Sequence, residues 1–384
     1  MKNTCLAFLL ACFMAVSASA ESTVYTATQI DQSAVDVSGT QNVVIANATI
    51  SKTDGSASSA DAASFRGVNS AIRVYDQATL TISDSFIEAF AQNATGVFAY
   101  DGGTIFISDC TVNVTGGGAG GVQVAGGGTL YGSDLTVTSA SKAAIRSDRG
   151  GGLMVLDGGT YTSTGTNGCP AIYSTADITV RNAVCVSEQS RAVIIEGKNS
   201  VTLENVTLEG NDQSTKSGSI HANVLLYQSA SGDAKEGTSV FTMTGGEMIS
   251  NNGAMFYCTN TASVIDLNGV TINCSEDDTL LIVSAGRWGR DGHNGGICEL
   301  NAEEQTLMGK ITVDSISALT MQLTASSYTG SINEDDEGGT IRLVLDENSS
   351  WTLTGDSHLT SLSGDLQNIN ANGYHMYVDG SMIV

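Results

Sequence analysis

Short apolar and polar runs alternate along most of the chain, and turns of Gly, Asn or Asp separate them. The runs are rich in Val, Ile and Thr, and the chain contains 44 Gly but only 1 Pro. Alternation with a period of two, carried by β-branched residues, indicates strands with one buried face. The pattern therefore predicts an all-β protein.

The turns recur at a nearly fixed spacing. Residues 80–84, 105–109 and 201–205 share one register, and from Asp84 the turn position advances by 25, 25, 24, 24, 23, 40 and 24 residues. A period of this size is typical of solenoids, in which each repeat is stable only when it is stacked on its neighbours. We expect a right-handed parallel β-helix with three strands and about 24 residues per turn.

Two apolar rows keep step with these turns. The row two residues before each turn consists of Ile45, Ile82, Ile107, Gly132, Leu156, Val180, Leu203, Met243 and Leu267. The row three residues after each turn consists of Ile50, Ile87, Val112, Val137, Tyr161, Cys185, Leu208, Met248 and Ile272. Except for Gly132, both rows are apolar, so we expect them to point inward and stack. A third strand follows in each copy, for example at 121–124 and 280–283.

Breaks in the period indicate insertions near residues 51–68, 210–221, 230–237 and 286–296. The first two follow the second strand and the last two follow the third, so the loops gather at two corners. Such a grouping often forms the binding face of a solenoid, but it is also compatible with tolerated variation in length. We expect the β-helix to cover residues 21–296, and further turns with a cap to cover 297–384.

The first twenty residues are typical of an export signal. Lys2 precedes an apolar stretch, and Ala18-Ser19-Ala20 resembles a cleavage site. A second interpretation is a lipoprotein signal with Cys12 as the lipidated residue. The apolar stretch is too short to span a bilayer, and we expect no membrane span elsewhere. The sequence therefore predicts a protein secreted from a prokaryotic cell, extracellular or associated with the cell surface.

Six cysteines follow the signal: Cys110, Cys169, Cys185, Cys258, Cys274 and Cys298. Export makes disulfides possible, and the spacing favours Cys169–Cys185 and Cys258–Cys274 as local pairs. The alternative is that some of these residues are reduced and belong to the core. Because Cys185 falls on an inward row, it fits that alternative.

The balance of charge is strongly acidic. The chain has 40 Asp and Glu against 16 Lys and Arg, for a formal net charge of −24. Such a surface repels phosphate backbones, so we expect no nucleic-acid partner. It also repels polyanionic polymers unless calcium bridges them. We expect no cofactor. Loosely bound calcium stays an alternative, because the chain carries many carboxylates.

The segment 285–296 is the most unusual in composition. Trp288 could stack on a sugar ring, and Arg287, Arg290 and His293 could donate hydrogen bonds to a ligand. We predict these four residues as candidate ligand contacts. Two other interpretations stay open: a solvated loop whose Trp packs on the coil, or a catalytic role for His293.

A second charged group lies near the third strands. Arg146, Asp148 and Arg149 follow one such strand, and Arg191 and Glu196 flank the corresponding strand further along. Together they could form a patch on one face, either as a lyase-type site or as exposed charges at turns. Because no known catalytic motif occurs in order, we assign no catalytic residue.

Residues 351–362, Trp-Thr-Leu-Thr-Gly-Asp-Ser-His-Leu-Thr-Ser-Leu, resemble the last turns of autotransporter adhesin passengers. The wider resemblance is to pectin-lyase-like β-helices, which include adhesins, polysaccharide lyases and hydrolases. It implies a surface-exposed or secreted β-helix, and we expect it to lack the translocator barrel of those passengers. Two functions stay open, because fold does not decide between them. One is a non-enzymatic adhesin that contacts glycans or neighbouring cells, and the other is a polysaccharide lyase or glycoside hydrolase.

Overall fold

A computed structural model describes residues 22–384. The predicted signal peptide and Cys12 lie outside the described residues. Strands dominate the described part, and successive strands pair in parallel with those of the preceding and following turns. The chain is a right-handed parallel β-helix, as the repeat predicts.

The first sheet carries the row that lies before the turns. Its strands are Asn42–Ala46, Thr79–Ser83, Thr104–Ser108, Gly128–Ser133, Gly152–Asp157, Asp177–Arg181, the first halves of Ser200–Gly210 and Ser239–Ser250, Ala262–Asn268, Ile297–Glu303, Ala318–Thr324, Thr340–Leu345 and Ser361–Ser363. The Cα register pairs Ile45 with Ile82, Ile82 with Ile107 and Leu156 with Val180. These side chains are buried, so the predicted inward column is confirmed.

The second sheet carries the row that lies after the turns. Its strands are Thr23–Ala27, Ala48–Lys52, Phe86–Ala89, Thr111–Val114, Thr136–Ser139, Thr160–Ser163, Val184–Ser187, the second halves of the two long strands, and Thr271–Asn273. The long strands continue through the turn residues Asn205 and Gly245, which joins both sheets into one of 21 strands. A four-stranded sheet continues the coil with Thr306–Met308, Ser327–Thr329, Ser350–Thr352 and Ile369–Asn370.

The third sheet closes each turn. Its strands are Val35–Val37, Ile72–Val74, Val97–Tyr100, Val122–Ala125, Ile145–Ser147, Ile172–Ser174, Val193–Glu196, Ala222–Tyr227, Ala254–Thr259, Thr279–Val283 and Lys310–Val313. At the C-terminal end, Ser357–Leu359 pairs with Met376–Val378, which pairs antiparallel with Ser381–Met382. This hairpin ends the stack of parallel strands.

The turn residues adopt the left-handed conformation that their types favour. The φ angles of Asp84, Asp109 and Asn182 are 50°, 51° and 50°. Asn and Asp visit this region at lower cost than other non-glycine residues. In the C-terminal turns, the same row continues with Glu304 and Ala325, at φ 49° and 46°. There the row departs from the Asn, Asp or Gly pattern.

The four insertions lie close to where the period breaks, and one of them contains a helix that the sequence pattern did not indicate. The helix Ala60–Arg66 begins at Ser59, whose hydroxyl accepts from the Ala62 N–H at 3.2 Å, and ends at Gly67 with φ 67°. A one-turn 3₁₀ segment, Leu366–Asn368, lies near the C-terminus. All four insertions join the third sheet at one end of its strands or the other.

The cysteines differ from the predicted pairing. All six described cysteines are free thiols, so neither Cys169–Cys185 nor Cys258–Cys274 is a bond in this structure. Cys185 lies on the inward row, paired with Tyr161 on one side and Leu208 on the other. The Cys169 thiol instead donates to the Lys142 carbonyl at 2.9 Å. Sequence spacing placed the members of each local pair close along the chain, but they belong to different columns of the coil.

Candidate functional site

The middle of the outer face of the third sheet is covered, although its side chains point away from the interior. The outward column runs through Phe98, Gln123, Leu225 and Tyr257, and each of these residues is at most 1% exposed. The covering segments are the four insertions, which reach over the sheet from the corners on its two sides. The loops that the sequence predicts at two corners therefore meet over the third sheet.

The helical insertion covers the N-terminal part of this face. Gly67 packs on the Phe98 ring so closely that an added Cβ would lie 2.5 Å from it. The Gln123 amide donates to the Ser64 carbonyl at 2.8 Å, and the Lys142 ammonium donates to the Ser64 hydroxyl at 2.7 Å. Burial lowers the pKa of Lys142 to about 8, and the nearby Arg146 charge adds to the shift.

A second apolar cluster lies under the other insertions, separate from the interior of the coil. Its buried members are Ile194, Ala222, Leu225, Tyr227, Ala254 and Tyr257. Trp288 and Ile220, which come from two different insertions, pack against it. The predicted loop therefore folds onto the sheet and buries part of its indole.

The four predicted contact residues divide into two pairs. Trp288 is half-buried on Tyr227, with the ring centroids 4.5 Å apart, and the Arg287 guanidinium lies 4.4 Å from the centre of the indole. Arg290 and His293 are exposed at the outer bend of the loop, where the His293 N–H donates to the Arg290 carbonyl at 2.9 Å. Trp288 is therefore packed on the sheet beneath Arg287, and Arg287, Arg290 and His293 are all exposed.

Asn294 fastens this loop. Its amide group donates to the Gly286 carbonyl at 2.7 Å and to the Trp288 carbonyl at 2.8 Å, and the residue is buried. Because one buried side chain holds two backbone groups of the loop, the position of Trp288 is defined by the fold.

The second predicted charged group forms a network under the insertions. The Arg146 guanidinium donates to one Asp148 oxygen at 2.7 and 2.9 Å and lies 4.7 Å from the centre of the Tyr173 ring. The Tyr173 and Tyr227 hydroxyls donate to one Glu196 oxygen at 2.5 and 2.8 Å. The Ser229 hydroxyl donates to the other oxygen. Arg146, Asp148 and Glu196 are thus brought together, as the sequence suggested.

The network is enclosed rather than open to solvent. Asp148 and Glu196 are 2% and 1% exposed. Burial raises the pKa of Tyr173 well above its usual value, and the neighbouring Tyr227 and Glu196 add to this effect. Because one Glu196 oxygen accepts from two tyrosines of the sheet and the other accepts from Ser229, the carboxylate fastens the 228–238 segment to the sheet.

The remaining members of the predicted patch form ion pairs with acidic residues of the insertions. Arg191 and Asp212 form a buried ion pair at 3.1 Å that holds the 211–221 segment, and Arg191 also donates to the Ile220 carbonyl at 2.6 Å. Arg149 pairs with Asp233 at 2.6 Å and packs over Phe65. Each pair joins one insertion to the third sheet.

Arg149 lines two clefts, each of about 430 Å³. One is bordered by Lys198 and Lys235, and the other by Arg66 and Tyr100. Both open on the side of the molecule that the insertions cover. Basic and aromatic side chains therefore line open volume beside the enclosed network.

Cations are concentrated around this sheet. Of the 16 Lys and Arg residues, all lie on its strands or in the turns and insertions beside it except Lys2, Lys52, Arg181 and Arg342, and Lys2 is outside the described residues. Acidic residues occur throughout the coil. Of the 15 Lys and Arg residues in the described chain, 12 therefore lie on or beside this sheet, a distribution that the net charge alone does not reveal.

Several members of this site were missed at the sequence level, namely Gln123, Lys142, Tyr173, Tyr227, Ser229 and Asp233. All lie on third strands or in the segments beside them. The two inward rows that revealed the repeat run along the first and second strands, so they do not indicate which residues of the third strands meet. A signal did exist, because some third strands are apolar at both inward and outward positions, as in Val193-Ile194-Ile195 and Val224-Leu225-Leu226. Such runs indicate a sheet that is buried on both faces.

Within residues 22–384, no group of three or more His, Cys, Asp or Glu side chains is placed to hold a metal ion. In the same part of the chain, no helix is long and apolar enough to cross a membrane. No family model, curated protein or solved structure matches the chain.

Proposed function

We propose that this protein is a secreted, non-enzymatic β-helical protein of the adhesin type, which contacts glycans or neighbouring cell surfaces through the insertions over the third sheet. The observation that carries the proposal is the convergence of all four insertions on one face. Of the 16 Lys and Arg residues of this acidic chain, 12 lie on this sheet or in the turns and insertions beside it. Insertions collected in this way commonly form the binding face of a solenoid.

The chemistry of that face supports contact better than turnover. A general acid or base must be able to reach the substrate with a free proton or lone pair. Asp148 and Glu196 are buried, and their partners belong to the protein itself. Arg287 and Arg290, in contrast, are exposed and can donate hydrogen bonds to a ligand.

The resemblance to adhesin passengers agrees with the packing of the C-terminal turns. Trp351, the first residue of the resembling segment, is fully buried, and its indole donates to the Gly330 carbonyl at 2.9 Å. Leu353 and Leu359 are buried as well. The apolar positions of that segment therefore have a packing role in the last turns.

A glycan array, run beside a depolymerisation screen on the same preparation, tests the proposal. We expect glycan binding without new reducing or unsaturated ends. The double variant Arg287→Ala/Arg290→Ala should lose at least tenfold in affinity. The matched control is Arg342→Ala, which removes an exposed arginine from the first sheet and should bind like the wild type. Equal binding by all three proteins would refute the assignment of this face.

One observation favours the alternative of a polysaccharide lyase or glycoside hydrolase. Arg146, Tyr173 and Glu196 lie on three consecutive turns of the third sheet. If a moving 228–238 segment exposed them, they could act together. In that case the depolymerisation screen would detect new chain ends, and Tyr173→Phe would abolish them while the folded content stayed unchanged.

A further inference from the structure

Two buried sulfur atoms meet where the third sheet turns into the first. Cys258 Sγ and Cys298 Sγ are 3.6 Å apart, and the two residues are 0% and 2% exposed. Cys258 belongs to the strand Ala254–Thr259 of the third sheet, and Cys298 belongs to the strand Ile297–Glu303 of the first. The contact therefore joins two sheets and two successive turns.

The other described cysteines face different atoms. The thiols of Cys110, Cys169 and Cys274 donate to backbone carbonyls, those of Ser108, Lys142 and Met308. Cys185 is stacked in its inward column between Tyr161 and Leu208. Among the described cysteines, sulfur contacts sulfur at Cys258 and Cys298, a pair that spacing along the chain did not suggest.

We propose that Cys258 and Cys298 form a disulfide when the chain folds under oxidising conditions. A disulfide has an S–S distance of about 2.05 Å, so the two sulfurs must approach by roughly 1.5 Å. In the reaction each thiol gives up its hydrogen, and one S–S bond forms. The two electrons and two protons pass to an external disulfide, such as glutathione disulfide or that of a thiol–disulfide oxidoreductase, which leaves as two thiols.

The bond would close a loop that contains the candidate contact segment. Residues 284–296, with Trp288, lie between the two cysteines, and Cys298 follows Gly296 by two residues. Gly296 itself packs against the Cys258 carbonyl, 2.6 Å from an added Cβ. A covalent bond here would fix the base of that segment to the strand on which the segment folds.

The bond should form while the chain is folding. The hydrogen bond to Cys258, followed by burial, raises the pKa of Cys298 well above its usual value. Thiolate is the species that attacks a disulfide. The reduced, folded protein should therefore react slowly, whereas the unfolded chain presents both thiols to the oxidant.

The experiment refolds the reduced, denatured full chain in a glutathione and glutathione disulfide buffer. Digestion without reductant should yield one species joining the Cys258 and Cys298 peptides, lighter by two hydrogen atoms than the sum of the two thiol peptides. Reduction should lower the thermal midpoint by several degrees. Cys298→Ser should abolish the joined species, and the matched control Cys110→Ser should retain it.

Two results would overturn the proposal. One is refolded protein in which both Cys258 and Cys298 remain alkylatable or carry separate glutathione adducts. The other is a bond that joins either of them to a different cysteine. Because the refolding is carried out with purified protein, the result is independent of export and of glycan binding. A joined pair in a protein that binds no glycan would count against the proposed function alone.

Discussion

The indole of Trp288 packs on the ring of Tyr227, with centroids 4.5 Å apart and planes inclined by 50°. Trp288 comes from the insertion after one third strand, and Tyr227 ends a third strand two turns earlier along the coil. Tyr227 also donates to Glu196 at 2.8 Å. The candidate contact loop and the charged network are therefore joined through one tyrosine.

This contact should hold the Trp288 loop closed. Trp288→Ala removes a half-buried indole, and we expect a loss of about 1–2 kcal/mol in unfolding free energy. Arg287 and Arg290 flank Trp288 and are trypsin sites, so tryptic cleavage in the loop should become at least tenfold faster. Trp288→Phe keeps an aromatic contact and should stay near the wild-type rate. Equal cleavage rates in the Ala variant and the wild type would contradict the packing.

The buried ion pair Arg191–Asp212 should matter far more than an exposed one. Asp212→Asn leaves the Arg191 charge buried without its partner, and such changes cost about 3–5 kcal/mol. The exposed pair Arg181–Glu204, at 2.9 Å, provides the matched control. Glu204→Gln should cost less than about 1 kcal/mol. Urea unfolding of both variants measures the difference, and similar costs would show that the 211–221 segment does not depend on the pair.

The interior of the coil could be predicted from the sequence because it obeys one rule at every turn. Ile82 and Ile107 stack because a step of 25 residues returns the chain to the same column. Gly132, which is the exception in the inward rows, also has a local explanation. A Cβ at Gly132 would lie 2.7 Å from Leu156 and 2.9 Å from Leu135, so larger neighbours already fill that space.

The covered face could not be predicted in the same way, because its contacts join segments that do not repeat. Gln123 reaches Ser64 across 59 residues, and Arg149 reaches Asp233 across 84. No period links these positions. The sequence indicated which residues were unusual in composition, but only the folded insertions determine which of them meet.

The left-handed turn at Ala325 offers a gain in stability. Its φ of 46° costs an L-residue with a Cβ roughly 1 kcal/mol, and glycine avoids that cost. Since the residue is exposed, Ala325→Gly should raise the unfolding free energy by about 0.5 kcal/mol after the larger backbone entropy of unfolded glycine is included. Ala318→Gly, in the adjacent strand, should lower it by about 0.5–1 kcal/mol. Losses of similar size in both variants would contradict the turn assignment.

Lys142 makes the stability of the fold depend on pH. Burial lowers the pKa of Lys142 in the folded state to about 8 from its usual 10.5, and Arg146 acts in the same direction. Asp148, Asp233 and Asp61 oppose the shift. Below pH 8 the lysine is charged in both the folded and unfolded states, so the cost of burying the charge is fully present. Between about pH 8 and 10.5 the folded protein releases a proton that the unfolded chain keeps, and the stability contributed by this group rises.

Lys142→Met removes that cost at every pH. We compare the unfolding free energy of the variant with that of the wild type. The variant's advantage should be larger near pH 7 than near pH 10.5, and it should shrink by roughly 2–3 kcal/mol between these two pH values. Burial also raises the pKa of Cys110 and Cys169 to about 11, which lowers stability as pH rises above 9. That effect is shared by the two proteins and cancels in their difference. Lys198→Met, which also replaces one lysine by methionine but at an exposed position, is the matched control. If the Lys142→Met difference did not change with pH, the ammonium of Lys142 would be as well solvated in the folded protein as in the unfolded chain.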